Sequence, residues 1–167
     1  MNGVKIVEKT IILRKYNSED CAEIMQLFYD TIHTINAADY NESQLDAWAP
    51  KDSDRTPSYW DNRFLQDHAV VAEKNGIILG IGTLKTPAYF DLLYVHKDFQ
   101  RIGVATLIAD KIESCSRSNG ISVITTNASI TAKPFFENRG YVLIKEQSVE
   151  TRGQFLTNYK MQRKFDV

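Results

Sequence analysis

The stretch LYVHKDFQRIGVATL, residues 93–107, is where a strand becomes a helix. It opens as the end of an apolar run, residues 89–95 (YFDLLYV), interrupted only by Asp91. It closes as the start of a segment in which Val104, Leu107, Ile108, Lys111, Ile112 and Cys115 recur at helical spacing, stopped by Asn119-Gly120. Residues 121–126 (ISVITT) read as the next strand. Strand, helix and strand with short connections make a βαβ unit, whose two strands run parallel. At the turn, Gln100, Gly103 and Ala105 form a Gln-x-x-Gly-x-Ala pattern. The first N–H groups of a helix have no internal acceptor and lie at the positive end of its dipole, which makes an anion site. Gly103 removes the side chain where a phosphate approaches the backbone, Ala105 is small, and Arg101 adds charge. Packing alone is the other explanation of a glycine at such a turn. Two familiar phosphate loops are absent: there is no Gly-Lys-Ser/Thr, and Gly80-Ile-Gly82 lacks the third glycine and helix of a dinucleotide fingerprint.

Upstream, residues 10–15 (TIILRK) predict a first strand. Asn17 or Ser18 caps a helix in which Cys21, Ile24, Met25, Phe28, Ile32 and Ile35 face one side, ending near Asn36. Pro50 and Pro57 break residues 37–67 into short helical pieces around 43–48 and 58–65. Residues 68–73 and 77–84 flank Lys74-Asn75-Gly76 and predict an antiparallel hairpin. Downstream, Ser129 or Thr131 starts a helix through Ala132, Phe135 and Phe136, with Pro134 in its first turn and Gly140 as its stop. Residues 141–149 and 155–163 predict a last hairpin around Thr151-Arg152-Gly153. The expectation is one α+β domain over residues 1–167, with a mixed, mostly antiparallel sheet of about seven strands and helices on both faces.

A 167-residue chain with 20 Lys plus Arg, 21 Asp plus Glu and 43% hydrophobic residues has the composition of an ordinary globular domain. A net charge of -1 argues against a protein that coats nucleic acid. No uncharged apolar run approaches a membrane span, and residues 1–9 lack the apolar stretch of an export signal, so a cytoplasmic protein is expected. Cys21 and Cys115 read as reduced core thiols, and His33, His68 and His96 have no metal-ligand spacing. Between residues 36 and 67, seven acidic residues outnumber three basic ones, beside Tyr40, Trp48, Tyr59 and Trp60. Two readings stand here. One is an acidic, aromatic surface that attracts a cationic acceptor; the other is a solvated helical face with its aromatics turned inward.

Residues 91–105 (DLLYVHKDFQRIGVA) resemble the fourth strand and pyrophosphate loop of the GCN5-related N-acetyltransferase (GNAT) superfamily. Residues 127–141 (NASITAKPFFENRGY) resemble its second signature, and the two stand in the family's order and spacing. The resemblance covers residues 10–163 and implies a central parallel strand pair that splays to admit acetyl-CoA. It implies main-chain pairing of Leu93, Tyr94 and Val95 with the pantetheine arm. It further implies pyrophosphate on the amides of Gln100, Arg101, Ile102, Gly103, Val104, Ala105 and Thr106, a donor contact from Asn127, and Phe136 beside the thiol. No metal is implied.

The activity so implied is acetyl transfer to a primary amine by direct attack in a ternary complex, with the N–H near Val95 polarising the carbonyl. Many family members carry a Tyr where this chain has Phe136, which has no proton to give. Asp91 is the expected general base, a carboxylate bonded to neighbouring backbone or to a partner Arg being the other reading, and Tyr94 or Tyr141 is the expected replacement acid. A non-catalytic acyl-CoA sensor of the same fold is the alternative, and the protein is expected as a monomer or homodimer.

Overall fold

The computed structural model describes residues 10–52 and 55–166. Residues 1–9, on which the expectation of no export signal falls, lie outside them. One seven-stranded sheet runs β1-β2-β3-β4-β5-β7-β6. Its strands are β1 (Ile12–Lys15), β2 (His68–Lys74), β3 (Ile77–Lys85), β4 (Tyr89–Val95), β5 (Val123–Ser129), β6 (Val142–Thr151) and β7 (Gln154–Lys164). Every neighbouring pair is antiparallel except β4 and β5.

The helices are α1 (Cys21–Thr34), α2 (Glu42–Trp48), α3 (Pro57–Gln66), α4 (Val104–Ser118) and α5 (Lys133–Asn138). Local signals set their ends. Asn41 and Gln44 close a reciprocal capping box on α2, Thr56 caps α3 ahead of Pro57, and Pro134 lies in the first turn of α5. Strand alternation divides the core in two. Val70 and Ala72 of β2 join Ile108 and Ile112 of α4, whereas Ala69 and Val71 join Ile24 of α1 and Phe64 of α3. Cys21 is buried, Cys115 is half-buried, and both thiols are free.

Gly80 and Gly82 explain how closely α4 lies on the sheet. A methyl group at Gly80 would stand 3.0 Å from Val104 Cγ1 and 3.1 Å from Ile108 Cδ1; one at Gly82 would reach 2.9 Å from Ile112 Cδ1. Bare backbone at these two positions lets the start of α4 come down beside β4.

Two boundaries differ most from the sequence expectation. The fifth strand extends through Ser129 rather than stopping at 126, because β7 pairs with it over its whole length, from Val123 to Ser129. The helix expected from Ser129 or Thr131 begins at Lys133; the Ser129 hydroxyl instead accepts a hydrogen bond from the Ala132 N–H in the turn before it.

Candidate active site

Parallel pairing between β4 and β5 is confined to Tyr89 with Thr125 and Phe90 with Thr126. Where it ends, the buried Thr126 hydroxyl donates to the Phe90 carbonyl at 2.8 Å. Beyond that point β5 stays with β7 and β4 stays with β3, so the two strands part. A cavity of about 720 Å³ fills the gap, walled by residues 90–95 of β4, residues 126–129 of β5, the start of α4, and Phe135 and Phe136.

Strand alternation directs the main-chain groups of Leu93 and Val95 into this gap, because Ile81 with Tyr94 and the 2.8 Å bond from His96 N–H to the Leu79 carbonyl occupy the β3 side. The Val95 carbonyl is already taken, by Thr31 Oγ1 at 2.9 Å and Gln100 Nε2 at 2.7 Å. The Gln100 side chain also donates to the His96 carbonyl, so it pins the loop to the end of β4. Thr31, on α1, carried no sequence signal.

The loop then reverses through two left-handed residues, Arg101 (φ 64°) and Gly103 (φ 92°). The first internal hydrogen bond of α4 runs from Leu107 N–H to the Gly103 carbonyl. The N–H groups of Val104, Ala105 and Thr106 therefore lack helical acceptors, and all three residues line the cavity. No acidic side chain lies in this first turn, so the helix dipole is uncompensated there. Ile102 alone of the loop residues named from the sequence does not line the cavity; its side chain is exposed.

Phe136 lies at the cavity wall, buried and edge-on to Phe90, Phe135 and Tyr141 at centroid distances of 5.5, 5.4 and 5.0 Å. Asn127 lines the cavity and accepts a hydrogen bond from Gln147 at 3.2 Å. Tyr141, considered as an acid, lines no part of it. Its hydroxyl donates to Glu113 at 3.1 Å, within a buried cluster that includes Arg139 and Arg163.

Asp91 occupies an irregularity in the β3–β4 ladder: Thr83 pairs with Leu92 and Leu84 with Phe90, leaving Asp91 unopposed. Such a bulge re-aims the extra side chain. Here Asp91 Oδ2 meets Arg63 of α3 and, at 3.1 Å, Lys85 of β3. Of the two environments that the sequence allowed for this carboxylate, the structure shows the one with partner cations.

A second cavity, about 700 Å³, opens on the opposite face of β4 among α1, α2 and α3. Trp48, Leu92 and Tyr94 are common to both cavities. The Tyr94 ring stands edge-on to Phe28 at 4.8 Å. Burial pushes its phenol well above the usual tyrosine range, against the opposing effect of a hydrogen bond with Trp48. The hydroxyl is thus protonated throughout the neutral range. Residues 48–64 supply Trp48, Lys51, Arg55, Trp60, Arg63 and Phe64 to this cavity, and none of the described acidic residues of 36–67 lines it. Those acids lie elsewhere: Asp61 accepts from the Tyr16 hydroxyl at 2.7 Å and Asp39 from Thr131 at 2.8 Å. Of the two readings of residues 36–67, the acidic wall for a cationic acceptor has no described carboxylate in this lining. Tyr40 is structural, donating to the Thr157 carbonyl and accepting from Ile130 N–H.

Among the described residues no group of three His, Cys, Asp or Glu could hold a metal ion, and no helix is long and apolar enough to cross a membrane.

Comparison with known proteins agrees with this geometry. The family described as acetyltransferase (GNAT) domain matches residues 36–163. The uncharacterised N-acetyltransferase YafP of Escherichia coli (strain K12) is 33% identical over 155 residues, covering 92% of this chain and 96% of its own. A GCN5-related N-acetyltransferase from Rhodopseudomonas palustris superposes with a TM-score of 0.88 at 32% identity, over 97% of this chain and 100% of that one. The PaiA N-acetyltransferase of Thermoplasma acidophilum, solved in complex with coenzyme A, shares the fold with a TM-score of 0.74 at 15% identity, over 93% and 99% of the two chains. With a family match over most of its length and two relatives above 30% identity, the chain belongs to the GNAT acetyltransferases, a family of acyl-transferring enzymes.

Proposed function

We propose that the protein transfers the acetyl group of acetyl-CoA to a primary amine, by direct attack within a ternary complex. The observation that carries this reading is the meeting of two cavities at one strand. The cavity ended by the N-terminus of α4 takes the donor, and the cavity on the other face of β4 takes the acceptor. Trp48, Leu92 and Tyr94 stand where the two come together. The coenzyme A complex of the Thermoplasma relative supports the choice of donor.

The diphosphate rests on the amides of Val104, Ala105 and Thr106, where the dipole favours negative charge. The pantetheine arm runs along β4 and takes the place of a neighbouring strand against Leu93 and Val95. Holding thioester and amine side by side removes most of the entropic barrier of a two-substrate reaction. The amine nitrogen, in its neutral form, attacks the thioester carbon while the Val95 N–H stabilises the developing oxyanion. The C–N bond forms and the C–S bond breaks. The nitrogen loses a proton to solvent, and the departing sulfur takes a hydrogen bond from the protonated Tyr94 hydroxyl, in the place of the Tyr that Phe136 replaces. Asp91, clasped by Arg63 and Lys85, acts as a positioning residue in this scheme rather than as the base. We also place the enzyme in the cytoplasm, where its donor is made and used.

A non-catalytic acyl-CoA sensor is the competing reading, favoured by Phe136 alone. Turnover decides between them. Incubation with acetyl-CoA and a panel of amines, followed by thiol release and mass spectrometry, is expected to give an amine heavier by one acetyl group for each CoA freed. Tight acetyl-CoA binding with no product across the panel would assign the sensor instead.

A further inference from the structure

The acceptor cavity has a chemical character that narrows the amine, and this inference rests on the acetyl-transfer reading above. Its volume, about 700 Å³, suits a small molecule. Its floor and sides are apolar, formed by Ile24, Phe28, Trp60, Phe64 and Leu92, with the Phe28 and Trp60 rings 5.6 Å apart. Its charged lining is of one sign: Lys51, Arg55, Arg63 and Arg152, with no described carboxylate among the lining residues. A second cation brought into this wall would meet like charge with water partly excluded, whereas an anion would meet opposite charge.

Arg63 is the residue best placed to hold that anion. Its side chain is 16% exposed, and the guanidinium carbon lies 5.1 Å from the centre of the Trp60 ring, which fixes the plane of the fork. Asp91 engages Nη2, and the buried Nε has no hydrogen-bond partner among the described residues. A guanidinium has five N–H donors, so an ion pair at one corner leaves others to recognise a planar anion. Arg55 and Arg152 have further partners of their own, and they contribute to the sign of the wall rather than to a specific contact.

We propose that the acceptor is a small amine bearing one apolar ring and one carboxylate, with the ring against Phe28 and Trp60, the carboxylate on Arg63, and the amine presented beside Tyr94 to the donor cavity. Arg63 is then the specificity-determining residue, and Asp91 and Lys85 hold it in place.

The test uses two matched pairs that differ by the carboxylate, phenylalanine against phenethylamine and 4-(aminomethyl)benzoate against benzylamine, with spermidine as a polycation. Each is titrated calorimetrically into the full chain saturated with CoA, which binds without reacting. In at least one pair the acid is expected to bind about tenfold or more tightly than its carboxylate-free counterpart, the range for a hydrogen bond to a charged group. Arg63→Gln should reduce that ratio to about threefold or less, and Arg63→Lys should leave an intermediate one. The proposal is overturned if the carboxylate-free amines or spermidine bind as tightly as the acids, if neither acid binds, or if the ratio survives Arg63→Gln. Should the Gln variant fail to fold, the wild-type ratios and the Lys variant still decide. Loss of turnover with the binding preference intact would sink the catalytic reading alone. Turnover without the preference would sink this one alone.

Discussion

The two cavities of this molecule are built from different materials. The donor cavity presents main-chain groups: the freed edge of β4, the N–H groups at the start of α4, and a loop pinned by Gln100 through the carbonyls of Val95 and His96. Most of it lies within one continuous stretch, residues 90–106; β5 through α5 form the far wall, and Thr31, Ile35, Asn36 and Trp48 complete the lining. The acceptor cavity is mostly side chains, drawn from α1, α2, α3, β3, β4 and the β6–β7 turn. Main-chain recognition tolerates changes of side chain but not of backbone shape or local charge. Side-chain recognition can be rewritten one residue at a time. A family can thus keep its donor while exchanging its acceptors.

If the two cavities are separable in this way, the largest effect of a single substitution belongs to the donor side. Thr106 sits at the third position of α4, exposed and lining the cavity. Thr106→Asp places a carboxylate where the diphosphate is proposed to bind, yet at a helix position where negative charge stabilises by about 0.3–1 kcal/mol. CoA affinity, followed by calorimetry, should fall roughly 100-fold, from close like-charge repulsion in a partly desolvated site. The melting temperature should hold or rise. A lowered melting temperature with CoA affinity intact would mean that this turn is structural and not an anion site.

Next in size is Phe28→Ala on the acceptor side. Removing the ring that contacts both Tyr94 and Trp60 should lower kcat/KM for the acceptor about 10–100-fold, while Kd for CoA stays within about twofold. Equal losses on both sides would show that the cavities are not separable.

Asp91→Asn is expected to cost less, about tenfold in kcat/KM, mostly through KM, because the ion pair that positions Arg63 is weakened. The pH–rate profile should keep its shape and follow the ionisation of the attacking amine, rising as that amine becomes neutral. If kcat instead fell by roughly two orders of magnitude or more and the profile flattened, Asp91 would be restored as the general base.

The smallest effect concerns stability away from both cavities. Burial alone would raise the Asp20 carboxyl, but hydrogen bonds from Arg14 and from the Asn17 N–H outweigh it and hold it below the usual carboxylate range. A depressed native pKa contributes stability above the unfolded value, about 3.9, that is lost as pH falls through the native one. Wild type should therefore lose more stability than Asp20→Asn between about pH 5 and pH 3. Parallel unfolding curves for the two proteins over that range would count against the pairing.

The contrast also explains how much could be read from the sequence. The donor side was legible because its determinants are local. Gly103 must adopt a positive φ, Ala105 must be small, and the nearly continuous apolar run of residues 89–95 makes a strand. Those signals survive in one dimension. In the sequence Gly80 and Gly82 serve only to exclude a dinucleotide site, since their purpose, room for Ile108 and Ile112, lies on another element. Thr31 carried no signal, because its bond to the Val95 carbonyl joins residues 64 positions apart. On the acceptor side, counting charge from 36 to 67 gives the wrong sign for the cavity. Net charge along a segment does not say which side chains turn inward, and here the tertiary fold brings in the cations and leaves the described acids outside. Asp91 stood out correctly as a polar residue in an apolar strand, but the bulge that turns it toward Arg63 depends on the register with β3.

Everything proposed for the donor side depends on the start of α4 gripping a diphosphate whose tether lies along the freed edge of β4, and calorimetry with two ligands decides it. CoA and pantetheine share the thiol arm, and only CoA carries the diphosphate. CoA should bind the folded protein at least about 100-fold more tightly than pantetheine, with an advantage that shrinks as salt is raised. Equal affinity for the two ligands, or no heat from CoA with a protein shown to be folded, would contradict it.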